Sequence, residues 1–135
     1  MRYEHNYYIT TDREYDFEFL FVDLGATGWR AYIISDINYQ EVSSSRSDSC
    51  GVVHHLPEND EQMKNLVYDC VESIKGRTVR RGTLWYICWS TPVRTLEDMR
   101  EVAKSWSEIT AKYIKKGGDF SRIQQELNER GVIDF

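Results

Sequence analysis

Two short ribbons that are apolar on both sides constrain this chain more than any other feature. Tyr15, Phe17, Phe19 and Phe21 alternate with Asp16, Glu18, Leu20 and Val22, and strand character resumes from Trp29 to Ile37. A period of two in aromatic and β-branched residues is the pattern of a pleated strand. Gly25, Ala26, Thr27 and Gly28 join the runs as a turn, since a strand and not a helix follows them. A hairpin folded about Ala26 and Thr27 sets Asp23 against Arg30, Phe21 against Tyr32 and Phe19 against Ile34. Phe17, Phe19, Phe21, Tyr32 and Ile34 then share one side, with Leu20, Val22, Trp29, Ala31 and Ile33 on the other. A single layer of helices covers only one of these sides. The second needs another helix, a fold of the sheet on itself, or a second copy of the chain, and the last option makes a homodimer an expectation.

The remaining elements follow from periodicity and punctuation. Tyr3 to Thr10 reads as a strand with Tyr3, His5, Tyr7 and Ile9 on one side. Ser43 to Ser49 is a polar loop between extended segments at Tyr39 to Val42 and Gly51 to His55. Met63, Leu66, Val67, Cys70, Val71 and Ile74 recur at helical spacing, with Asn59 as N-cap and Gly76 as stop. Leu84 to Trp89 has no polar side and reads as a buried central strand. Thr95 with Asp98 opens the longest helix, whose stripe is Leu96, Met99, Val102, Ala103, Trp106, Ile109 and Tyr113. A last helix runs from about Ser121 to Arg130. This order predicts an α+β fold, a mainly antiparallel sheet of about five strands packed against two to three helices in two layers. A chain of 135 residues suits a single domain spanning 1–135, large enough to bury a core without staples.

Charge and cysteines bound the setting. Seventeen Lys and Arg against 22 Asp and Glu leave a net charge of −5, which disfavours nucleic acid or an anionic membrane surface as the main partner. Met1 to Tyr8 lacks the apolar core of an export signal, and no apolar run approaches the roughly 20 residues that span a bilayer. Cys50, Cys70 and Cys88 show no Cys-x-x-Cys spacing, and their odd number favours reduced thiols in a cytoplasmic protein.

Catalytic patterns are weak. Cys50, His54 and His55 are the nearest approach to a thiol and imidazole cluster, but four residues of strand separate Cys50 from His54 by about 13 Å. Cys70 and Cys88 read as small hydrophobes. Glu14, Asp16 and Glu18 share a strand face at intervals of about 7 Å, which also describes an ordinary solvated face. There is no glycine-rich phosphate loop, no dinucleotide fingerprint, no His-Glu-x-x-His and no Gly-x-Ser-x-Gly, so neither a cofactor nor a metal site is implied.

The reading that follows is a non-catalytic cytosolic interaction module that binds a protein, or itself, through an aromatic-rich sheet face or edge. One alternative is a small enzyme whose pocket lies near the Ser-rich loop and gathers Arg46, Asp48, His54 and Trp89. The other is an anion or nucleic-acid binder that uses Lys75, Arg77, Arg80 and Arg81, the only basic cluster with aromatics nearby.

Overall fold

The alternation along residues 16–23 builds a strand with two apolar faces, and each face is covered by helix in the computed structural model, which describes residues 1–35, 55–89, 91–116 and 120–131. The elements are β1 (Tyr3–Ile9), β2 (Asp16–Asp23), β3 (Trp29–Ile33), β4 (His55–Pro57), α1 (Glu61–Lys75), β5 (Trp85–Ile87), α2 (Leu96–Lys116) and α3 (Phe120–Glu129). Five antiparallel strands form one open sheet in the order β1-β2-β3-β5-β4, the expected α+β class. Phe17, Phe19, Phe21, Ala31 and Ile33 pack with α2 and α3 through residues that include Trp106, Ile109 and Leu127. Leu20, Val22 and Tyr32 pack with α1 through Val67, Tyr68 and Val71. Another helix of the same chain thus closes the second face, and the helices form a layer on each side of the sheet instead of one.

The hairpin differs from expectation by one residue. Phe21 lies opposite Ala31, Leu20 opposite Tyr32 and Phe19 opposite Ile33. A short 3₁₀ turn at Gly25–Thr27 is closed by Leu24 N–H donating to the Gly28 carbonyl at 2.9 Å, so the connection is an odd-numbered loop. A slip of one normally turns apolar side chains out to water. Here both faces are apolar, so hydrophobic patterning alone does not select the register. Gly28 is required where it stands: its φ is +91°, and a Cβ would fall 2.6 Å from the Val93 carbonyl that accepts the Trp29 N–H.

Local chemistry sets the helix ends. Asp60, rather than Asn59, caps α1, its carboxylate accepting from the N–H groups of Gln62 and Met63, and Gly76 ends it at φ +68°. The Thr95 hydroxyl accepts the Asp98 N–H at 3.1 Å. Met99, Val102, Ala103, Trp106, Ile109 and Tyr113 are buried as their spacing requires. The strand within Leu84 to Trp89 is shorter than expected and lies between β3 and β4. Tyr39 to Val42, the Ser-rich loop and Gly51 to His54 lie outside the described residues. Cys70 is a free thiol, whereas Cys88 is disulfide-bonded, which overturns the expectation that all thiols are reduced.

Candidate functional site

The basic cluster after α1 separates into committed and uncommitted cations. Lys75, in the last turn of α1, donates to Glu18 Oε1 at 2.8 Å, and His5 Nε2 lies 2.5 Å from Glu18 Oε2. Burial works to raise the Glu18 pKa, but the hydrogen bonds from Lys75 and His5 outweigh it and hold the carboxyl below its ordinary value. Arg81 donates to Asp69 at 2.6 Å and to Glu72 at 2.7 Å, and its guanidinium lies over the Tyr68 ring. Arg77 and Arg80 are exposed and make no ion pair among the described residues. They line a cavity of about 650 Å³ together with Lys75, Glu18, His55 and Trp85. The last two rings stack at 4.1 Å. Lys75 and Arg81 are therefore structural ion-pair partners, and only Arg77 and Arg80 are left for an anion.

The expected enzyme pocket is only partly in view. Arg46, Asp48 and His54 lie outside the described residues, and Trp89 borders a separate cavity of about 270 Å³ with Trp29, Arg30, Leu56 and Tyr86. Glu14, Asp16 and Glu18 do not form an acidic row. The strand begins at Asp16, Glu14 sits in the preceding turn and pairs with Lys115, and Glu18 is consumed by Lys75 and His5. Among the described residues, no cluster of His, Cys, Asp and Glu is arranged to hold a metal ion, and no helix is long and apolar enough to cross a membrane.

A different region gathers exposed apolar groups. β1 is an edge strand. The Asp23 N–H bonds the Arg2 carbonyl and the Thr10 N–H bonds the Tyr15 carbonyl, each at 2.9 Å and each in the register of β1 on β2. In an antiparallel ladder, hydrogen-bonded pairs alternate with non-bonded ones, so the even-numbered residues of β1 bond to β2. Tyr3, His5, Tyr7 and Ile9 consequently turn their N–H and C=O groups away from the sheet. Among the described residues only one of these outward groups has a side chain on it: the Tyr7 N–H donates to Asn6 Oδ1 at 2.9 Å. Their side chains lie on the α1 side, where Tyr3, Tyr7 and Ile9 remain 44%, 56% and 58% exposed.

The flank of α1 extends this surface. Leu66, Cys70 and Ile74 follow one another at intervals of four and make one stripe along the helix. Cys70 is partly buried against the cluster of Leu20, Val22, Val67 and Val71, and Lys75 of α1 and His5 of β1 meet on the same Glu18 carboxylate, so the helix lies beside β1. Leu66 and Ile74 are 44% and 41% exposed, although their spacing assigns them to the core. Tyr68 takes the inward position instead, its ring buried and its hydroxyl reaching the Gly82 carbonyl at 3.3 Å. A surplus of apolar positions around α1 was the sequence signal for this patch. Comparison with protein-family models, curated proteins and solved structures yields no match.

Proposed function

We propose that the chain is a non-catalytic interaction module that self-associates by adding a strand to the β1 edge. The observation that carries this reading is a seven-residue edge strand with outward backbone groups at Tyr3, His5, Tyr7 and Ile9, flanked on one side by exposed Tyr3, Tyr7, Leu66 and Ile74. Natural edges are usually blunted by charge, proline or brevity. β1 carries a single carboxylate, Glu4, already bonded to Arg100 at 2.8 Å, and no proline. The sheet faces no longer serve as the adhesive surface, because α1 covers one and α2 with α3 the other. Light scattering across a concentration series up to several hundred micromolar tests the reading. A mass rising to that of a dimer, and remaining that of a monomer in Tyr7→Pro, supports it. Residue 7 donates no bond to β2, so the proline removes an outward donor without breaking the ladder. A wild-type monomer at every concentration overturns it.

A second reading draws on Arg77 and Arg80, the uncommitted cations at the larger cavity, and assigns a small anion to them. Titration with inorganic phosphate and a nucleoside monophosphate decides it: saturable binding lost in the Arg77→Ala and Arg80→Ala double variant supports it, and no heat at low salt ends it. The module is placed in the cytoplasm, and the Cys88 disulfide counts against that placement. Alkylation of cells at lysis discriminates, since Cys88 is blocked there in a reducing compartment and protected in an oxidising one.

A further inference from the structure

We infer that the strand received by the β1 edge is β1 of a second copy, antiparallel across a two-fold axis that passes beside Asn6, with residues whose numbers sum to 12 facing each other. This rests on the reading of β1 as the interaction edge and names its occupant. The backbone limits the choice first. Outward groups belong to Tyr3, His5, Tyr7 and Ile9, so an antiparallel neighbour that bonds to them must itself offer outward groups at the facing positions. A second β1 meets that demand with its odd residues facing the odd residues of the first. Three central registers do so: Tyr3 to Tyr7 with His5 on its own copy, Tyr3 to Ile9 with His5 to Tyr7, or His5 to Ile9 with Tyr7 on its own copy.

The middle register is favoured on three grounds. It alone pairs the whole of Tyr3–Ile9, so every outward N–H and C=O of the four odd residues finds a partner. It sets Tyr3 against Ile9 twice, an aromatic against a β-branched side chain, on the face where both are about half exposed. Its self-paired residue on the axis is the small amide Asn6, whereas the other two registers place His5 on His5 or Tyr7 on Tyr7. An axis normal to the sheet keeps α1 of both copies on one face. The Leu66, Cys70 and Ile74 stripes, which flank β1, then look toward each other across the paired strands. This accounts for apolar side chains at Leu66 and Ile74 that the monomer leaves in water. Asn6 competes with pairing, since its side chain occupies the Tyr7 N–H until the second strand takes it.

Cysteine cross-linking in a Cys70→Ser background tests the register. Asn6 lies at a non-bonded pair on the axis, where Cα atoms approach to about 4.5 Å, within disulfide range. Asn6→Cys is expected to form a disulfide-linked dimer on mild oxidation far faster than His5→Cys or Tyr7→Cys, which mark the other two registers. Faster linking through His5→Cys or Tyr7→Cys, in a chain that light scattering shows to be dimeric, overturns the register and leaves the edge reading standing. A chain that is monomeric throughout overturns both. The α1 contact is tested separately with Leu66→Lys and Ile74→Lys together, expected to weaken the dimer by about tenfold or more while the monomer keeps its circular dichroism. An unchanged dimerisation constant removes the helix contact from the proposal.

Discussion

The two faces of the sheet are built on opposite principles. On the α2 and α3 side, Phe17, Phe19 and Phe21 form a ladder of rings along β2, and Trp106 meets Phe17 and Phe19 edge-on at 5.7 and 6.1 Å. The buried carboxylate on that side, Glu108, is held by neutral donors, the Tyr8 hydroxyl and the Thr11 N–H, and has no ion pair among the described residues. On the α1 side, the buried carboxylates are ion-paired. Glu18 is held by Lys75 and His5, and Glu58 accepts from Arg30 at 2.8 Å and from the buried Tyr32 hydroxyl at 2.5 Å. Burial first, and then the bond to Glu58, push the Tyr32 hydroxyl pKa upward, so Tyr32 stays a neutral donor. Aromatic area holds one side together, whereas the other depends on every buried charge keeping its partner.

Substitutions on each face break this contrast in different ways. Phe19→Ala removes the middle ring of the ladder and leaves a void against Trp106, so urea denaturation is expected to show a loss of about 3–5 kcal/mol with no change in how stability varies with pH. Glu18→Gln leaves Lys75 facing a neutral amide in a mostly buried position, and about 2–3 kcal/mol is expected to be lost at neutral pH. The sign of its pH effect follows from the depressed carboxyl: the stabilisation is present above the ordinary glutamate range and is lost as pH falls through the lower folded-state value. Acid titration of stability should therefore be steeper in the wild-type chain than in Glu18→Gln over that interval, and equal slopes would remove Glu18 from the account. The smallest effect has the opposite sign. The Thr110 hydroxyl on α2 is buried and has no hydrogen-bond partner among the described residues. Thr110→Val is expected to leave stability unchanged or raise it by up to about 1 kcal/mol, read as a shift in the urea midpoint.

Much of the fold is legible in the residues because local rules act strongly there. Alternation marked β1 and β2, Thr95 and Asp98 marked the start of α2, and Gly76 marked the end of α1. The α1 cap was displaced by one because Asn59 and Asp60 are both competent caps and only the entry of the chain selects between them. The candidate site was less legible. Lys75 and Arg81 looked like neighbours in one basic patch, yet each is neutralised by carboxylates that folding brings close, Glu18 on the sheet face under α1 and Asp69 with Glu72 along α1. Leu66 and Ile74 looked like core for a related reason: periodicity shows which residues share a helix face but not how far the helix is rotated against its sheet.

The sequence by itself determined that β2 and β3 would have two apolar sides, that helices would carry apolar stripes, and that Tyr3, Tyr7 and Ile9 would share a side of the first strand. These follow from backbone periods that each residue obeys wherever it lies. Only the tertiary structure decided which helix covers which side, which cations find carboxylates, and that β1 lies at an open edge with a stripe of α1 beside it. Those outcomes depend on groups far apart in the chain meeting in one place, and no local pattern records the distance between them.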